Sequence, residues 1–244
     1  KRTKRGAVVN DKNIDEALKR AAQSPYEVEP GLLERIASTA RASLHAVRPL
    51  PPTWILSGAL FLVVASIALA GAIRAGFYGI EKMGLGQRAL IFSTLSVLAW
   101  VTAAKFVHEM IPGSRRWLSS SALLGMISAA LLGVFALLFR DHQTDHFFSA
   151  GIVCLLVGFL FAIPAGLLSW LVLRRGFAVS PVSAGLAAGT LAGLAGVGML
   201  ELHCENFQAA HVLVWHTAVV PLSAVAGALL ARLLSFWAHR VKRT

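Results

Sequence analysis

The sequence predicts an all-α integral membrane protein, a bundle of six transmembrane helices preceded by a short amphipathic helical segment. Of the 244 residues, 56% are hydrophobic and only 14% are charged, whereas soluble domains carry roughly 25% charged residues. The apolar residues also gather into six long runs, each close to the roughly 20 residues that a helix needs to cross a bilayer. Composition and run length therefore indicate the same class.

The chain divides by composition into three regions. We expect a cytoplasmic partner-binding segment over residues 1–52, the six-helix membrane domain over 53–236 and a basic cytoplasmic tail over 237–244. The six apolar runs lie at 53–73, 89–104 with an extension towards 111, 117–139, 147–173, 176–200 and 207–231. Lys105 falls within the extension of the second run, and we expect its side chain to snorkel to the membrane interface.

The N-terminal segment is charged but carries enough Leu and Ile for two short amphipathic helices. A capping box at Asn13 and Glu16 opens the first, and Pro25 and Pro30 separate it from the second. In the second helix one apolar stripe contains Leu33, Ile36, Ala37, Ala40, Leu44 and Val47. Because fifty residues of this kind cannot bury a core of their own, the stripe either docks on a cytosolic protein, lies on the anionic inner leaflet, or belongs to a disordered extension without function.

The basic residues indicate how the spans are oriented. With the N-terminus inside, nineteen of the 23 Lys and Arg residues lie on the inner side. The outer side holds only Arg74, Lys82, Arg88 and Arg140. This bias predicts that both termini are cytoplasmic. Because the basic residues follow the ends of the spans, the net charge of +11 does not indicate direct nucleic-acid binding.

Polar, chemically reactive side chains meet on the predicted outer face. The stretch ELHCENFQAAHVLVWH at 201–216 and the hairpin at 140–151 both lie there. The candidate functional residues are Cys154, Cys204, His142, His146, His203, His211 and His216. His142 and His146 would share a helix face. His211 and His216 are five apart, about 140° on an α-helix, so they should not point into one small site unless the helix starts after His211.

Two chemistries suit the two cysteines. In a redox site, Cys154 and Cys204 form or break a disulfide, which requires their Cα atoms to approach within roughly 7 Å. In a metal site, Cys154, Cys204 and His211 are the ligand candidates for Zn, Cu(I) or Cd. Both require the hairpin at 201–210 to approach the fourth span. The redox site is favoured, because the metal site needs a coincidence in the directions of the imidazoles.

The fifth predicted span has a face made of glycine. Gly185, Gly189 and Gly193 are spaced four apart, so they line one side of a helix and let another backbone approach closely. We expect this face to pack within the bundle, with a dimer contact as the alternative.

The chain as a whole resembles the NrsF-like family of membrane anti-sigma factors. The resemblance rests on the VRPLPP hinge at 47–52, the six spans, Cys154 in the fourth span, and the C-x6-H-x3-WH pattern at 204–216. It implies a bacterial inner-membrane regulator, not an enzyme, that holds an extracytoplasmic-function sigma factor inactive through residues 1–52. Its partners would be that sigma factor and the lipid bilayer.

The resemblance also implies roles for individual residues. The sigma-binding positions would be Leu33, Ile36, Ala40 and Leu44. Cys154 and Cys204, with His211 and His216 beside them, would sense oxidative or soft-metal stress. No cofactor is implied beyond a soft or transition metal ion acting as the signal.

Two other functions are compatible with a polytopic protein that carries thiols. A membrane thiol-disulfide oxidoreductase is disfavoured because the chain has no CxxC motif, and a lone cysteine pair is a poor relay. A metal-binding or transport protein is disfavoured because transport usually needs ionisable groups near the bilayer midplane, and the predicted spans carry theirs at the ends.

Overall fold

The computed structural model describes Glu16, Lys19 and residues 31–43, 51–111, 118–175 and 180–241. In this part of the chain the secondary structure is helical, apart from one isolated bridge between Asp141 and Gln208. The chain divides at residue 50 into two units, and we describe each by itself.

The described part of the first unit contains the second predicted amphipathic helix. Helix α1 spans Leu32–Ser43 and follows Gly31, whose φ of 94° is left-handed. Ile36, one of the expected partner-binding residues, is 56% exposed. Leu33 and Ala40 lie within α1, whereas Leu44 and Asn13 of the predicted capping box lie outside the described residues.

The described part of the second unit contains six helices that are long and apolar enough to cross a membrane, as the six apolar runs predict. The helices of this unit are α2 (Thr53–Ala75), α3 (Tyr78–Lys82), α4 (Leu85–Met110), α5 (Ser120–Leu138), α6 (Phe147–Arg175), α7 (Pro181–His203), α8 (Ala209–His211) and α9 (Thr217–Val241), with a π-helical turn (Val212–His216) joining the last two. Some helix ends differ from the ends of the predicted runs, because capping residues set where a helix begins. The fifth run was predicted from residue 176, whereas α7 begins at Pro181. Ser180 caps α7 by accepting from the Ser183 N–H, and Pro181 occupies the first turn.

Helix α7 is the centre of the bundle. It packs against all five other spanning segments, and 78% of its most apolar window is buried, compared with 22–44% for the others. Small residues make this possible, because a Cβ on Gly185 would lie 2.5 Å from the Gly227 oxygen and one on Gly193 would lie 2.7 Å from Val220 Cα. The glycine face of α7 therefore meets α9 backbone to backbone inside the bundle.

The expectation for Lys105 is wrong. Its side chain is only 2% exposed and pairs with Glu109, one helical turn further along α4. Ser183 at the start of α7 donates to Glu109 Oε1 at 2.9 Å, and Ser120 at the start of α5 lies 3.5 Å from the same oxygen. The ends of three helices thus meet at Glu109, and Lys105 pairs with this internal carboxylate instead of with the water that snorkelling would have reached.

The hairpins at 140–151 and 201–211 meet at one end of the bundle. The Ala209 N–H donates to the Asp141 oxygen at 2.6 Å. Lys82, in the connection between α2 and α4, pairs with Glu205 at 2.7 Å. This end of the bundle holds both cysteines and five of the eight histidines, His142, His146, His203, His211 and His216.

Candidate functional site

Four side chains from four consecutive parts of the chain converge at this end. Cys154 lies in the second turn of α6, Cys204 follows α7 directly, His211 ends α8, and His216 ends the π-helical turn. One ligand atom from each lies within 4.8 Å of the others. The two Sγ atoms are 3.4 Å apart, and Cys204 Sγ is 3.6 Å from His211 Nε2. We call these four residues the Cys/His site.

The π-helical turn is what brings the two histidines together. On an α-helix they would point about 140° apart, but the bonding of a π-helix runs from residue i to i+5. Residues Val212–His216 adopt this form, so His211 and His216 share a face, with ring centroids 5.3 Å apart. The expectation that they diverge is wrong, because it assumed a regular α-helix.

A buried carboxylate contacts one of the histidines of the Cys/His site. Glu201, in the last turn of α7, is 1% exposed, and its Oε1 lies 2.7 Å from His216 Nδ1. Two ring nitrogens of the Cys/His site, His211 Nδ1 and His216 Nε2, are buried and have no hydrogen-bond partner among the described residues. The sequence analysis did not assign Glu201 a role. The signal that could have found it is a carboxylate closing a span that is otherwise uncharged from Pro181 onward.

The Cys204 thiol is held in its protonated form. Its hydrogen bond with Cys154 and its burial raise the pKa of Cys204, and the neighbouring imidazoles of His211 and His216 offset part of this rise. A metal ion binding there must displace this proton, since thiolate is the ligand.

Three predicted histidines do not join the Cys/His site. His203 Nδ1 lies 3.2 Å from the Gly76 oxygen, and its ring packs on Tyr78. His142 and His146 are exposed. All three lie in or next to the hairpins at this end of the bundle, but none belongs to the four-donor group.

One protein family matches the chain. The family NrsF, described as negative regulator of sigma F, matches residues 36–237. The chain belongs to this family. No curated protein and no solved structure matches it.

Membership of the NrsF family confirms the resemblance that the hinge and the C-x6-H-x3-WH pattern indicate. The family description makes the chain a negative regulator with a sigma factor as its partner, and it points to regulation by binding rather than to an enzyme. The matched region includes all six spanning helices and all four residues of the Cys/His site.

In this NrsF family member, the site offers two sulfur and two nitrogen donors. That donor set is typical of four-coordinate zinc and of other soft metal ions. The two sulfurs are also close enough for a short movement to reach the roughly 2.05 Å of a disulfide bond. The arrangement can therefore bind a metal ion or form a disulfide bond.

Proposed function

We propose that this protein holds an extracytoplasmic-function sigma factor inactive through residues 1–52 and releases it when the Cys/His site binds a soft metal ion. The protein would act in the bacterial inner membrane, with both termini in the cytoplasm and the site on the periplasmic side. The observation that carries the sensing part is the convergence of four soft donor atoms within 4.8 Å.

Metal binding is favoured over redox sensing by the π-helical turn. A metal site built from these four residues requires both imidazoles to be directed at the thiols. The sequence gave no reason to expect that direction. The turn supplies that direction for both His211 and His216. Metal entry would replace thiol protons and draw α6, the start of the 204–208 loop and the π-helical turn towards one ion.

A redox sensor is the second candidate, and the 3.4 Å separation of the two sulfurs supports it. In that case Cys154 and Cys204 each lose a proton, and together they pass two electrons to a peroxide or an organic disulfide as the S–S bond forms. The oxidising bacterial periplasm would sustain such a bond.

The position of α7 supports a route from the site to the opposite end of the bundle. One end of α7 carries Glu201 beside the Cys/His site, and the other carries Ser183 bound to Glu109. Since α7 packs against every other spanning helix, a displacement at the site changes contacts throughout the bundle. On the predicted topology the Ser183 end faces the cytoplasm, where the sigma factor binds.

Capture of a sigma factor by the full chain tests the partner-binding part. The purified protein in nanodiscs should retain an extracytoplasmic-function sigma factor, and Leu33→Asp and Ile36→Asp should abolish retention by breaking the apolar stripe of α1. Glu34→Gln is the matched control, since Glu34 is an exposed polar residue of the same helix. Equal retention by the Asp variants, or binding of the segment to anionic vesicles alone, would refute this part.

A further inference from the structure

Glu201 is a buried carboxylate to which the proposed function assigns no part in metal binding. It lies in the final turn of α7, and its contact is with the ring of His216 rather than with solvent. Because a carboxylate accepts hydrogen bonds, Nδ1 of His216 is the nitrogen that carries the proton in this contact. In a neutral imidazole the free lone pair is then on Nε2.

The second ring nitrogen of His216 is the observation that favours a role for this pair beyond a structural contact. His216 is 1% exposed, and its Nε2 has no hydrogen-bond partner in the part of the chain that the structure describes. A buried polar atom without a partner is costly. The neighbours of His216 include the His211 ring and the Cys204 thiol, so a metal ion bound by them would give Nε2 the partner that it lacks.

We propose that Glu201 is a positioning residue of the metal sensor, which fixes the tautomer and the ring orientation that present Nε2 of His216 as a ligand. Cys154, Cys204, His211 and His216 then form a complete four-coordinate site. This inference rests on the proposed metal sensing and deepens it. Histidine ligands commonly donate their second ring N–H to a carboxylate, which orients the ring and makes it a stronger ligand.

The same hydrogen bond connects the metal site to the centre of the bundle. Glu201 belongs to α7, whereas His216 leads directly into α9. These two helices are the ones that meet across the glycine face. A metal ion on Nε2 therefore acts on α7 through Glu201 as well as on α9 through His216.

Cobalt binding to the full chain tests the inference. Metal-free protein in nanodiscs is titrated with Co²⁺, whose d–d and thiolate charge-transfer bands report the ligand set, and Cd²⁺ is then used in competition. Glu201→Leu should weaken both affinities about 10–100-fold, the usual effect of losing a carboxylate partner of a ligating histidine. The d–d bands should also change, because His216 no longer holds its ligating orientation.

Two further variants separate positioning from structural damage. Glu201→Gln should recover part of the affinity and the wild-type band shape, because an amide oxygen still accepts from Nδ1 but brings no charge. Glu205→Gln should bind like the wild type, because Glu205 is exposed and pairs with Lys82.

The outcomes distinguish this inference from the function on which it rests. Wild-type protein that binds neither Co²⁺ nor Cd²⁺ overturns metal sensing, and the role of Glu201 with it. Wild-type protein that binds metal, with unchanged affinity and spectrum in Glu201→Leu, overturns the role of Glu201 alone. If Glu201→Leu loses its helical circular dichroism, the affinity of Glu201→Gln for Co²⁺ and Cd²⁺ decides the question. Weaker metal binding than in the wild type supports the inference, and wild-type metal binding refutes it.

Discussion

At the scale of single residues, the molecule buries polar groups at both ends of α7. The Cys/His site with Glu201 lies at one end, and the Lys105–Glu109 pair lies at the other. Each such group is costly to bury unless a partner compensates it. Single substitutions at these positions should therefore have large effects on the reactivity of the thiols or on the free energy of unfolding.

The Cys204 thiol should react slowly in the folded, metal-free protein. Because the Cys154 hydrogen bond and burial raise the pKa of Cys204, less of the thiol is ionised at pH 7.5 than in an unfolded chain. The alkylation rate should keep rising with pH beyond the ordinary thiol pKa of about 8.5, where the rate for an unfolded chain levels off. Mass spectrometry of iodoacetamide-treated protein measures this, and equal rates in folded and unfolded chains at pH 7.5 would contradict it.

Breaking the buried ion pair of α4 should destabilise the bundle. Glu109→Leu leaves the buried Lys105 ammonium without its carboxylate, which typically costs about 3–5 kcal/mol. The double variant Lys105→Met/Glu109→Leu should recover most of this loss, because it removes both charges. Unfolding in mixed detergent micelles, followed by circular dichroism, gives the free energies.

The exposed pair Lys82–Glu205 is the control for that experiment. Lys82→Ala should leave the free energy of unfolding unchanged within error, since exposed ion pairs contribute little. A Glu109→Leu protein as stable as the wild type would show that the buried pair does not support the fold.

At this scale the sequence predicted part of the site and missed the rest for a physical reason. The charge bias placed Cys154 and Cys204 on the same side of the membrane, but their approach to 3.4 Å was a requirement of both chemistries rather than a prediction. The direction of His216 did not follow, because it depends on a local departure from α-helical geometry. Glu201 was missed because a carboxylate at the end of a span normally faces water, and only packing shows that this one does not.

At the scale of elements, two features decide how the helices serve the site. The π-helical turn sets the direction of the His216 side chain. The glycine face of α7 sets the distance between α7 and α9. The helices themselves were predictable, since apolar runs of this length have few alternatives. The π-helical turn was not, because the apolar stretch VLVW at 212–215 suits a regular α-helix equally well.

Changing the length of the π-helical turn should test its role. Deleting Val214, which is 49% exposed, leaves the two histidines four apart, and residues four apart share a face of an α-helix. Inserting an alanine after Val214 makes them six apart, on different faces. Co²⁺ binding should thus survive the deletion better than the insertion, and an equal loss in both would contradict this role.

An added methyl group on the glycine face should separate α7 from α9. In Gly189→Ala the Cβ would lie only 2.8 Å from Ala224 Cα, and backbone cannot move aside cheaply. Overpacking of this kind typically costs about 1–3 kcal/mol. Thermal unfolding in detergent, followed by circular dichroism, measures the loss.

Gly133→Ala is the matched control for this substitution. A Cβ on Gly133, also within a spanning helix, would meet no described atom within 4 Å. This variant should be as stable as the wild type or slightly more stable, since alanine favours helices over glycine. Equal stability of Gly189→Ala and the wild type would refute close packing at this face.

At the scale of the whole molecule, the proposed mechanism links the Cys/His site at one end of the bundle to sigma-factor binding by residues 1–52. The sequence predicted the six spans and, through family resemblance, the class of regulator. Family membership confirms that the chain negatively regulates a sigma factor. What the structure adds is a single helix, α7, with Glu201 beside the Cys/His site at one end and Ser183 at the opposite end.

The most direct test of this account is the activity of the partner sigma factor in living cells. A promoter reporter is measured in cells carrying the wild type, Cys154→Ser/Cys204→Ser or His216→Ala, before and after exposure to Cd²⁺ or diamide. The account predicts that Cd²⁺ activates the reporter in the wild type and in neither variant, and that both variants still repress it without stress. A Cd²⁺ response that persists in the double cysteine variant would contradict the central claim.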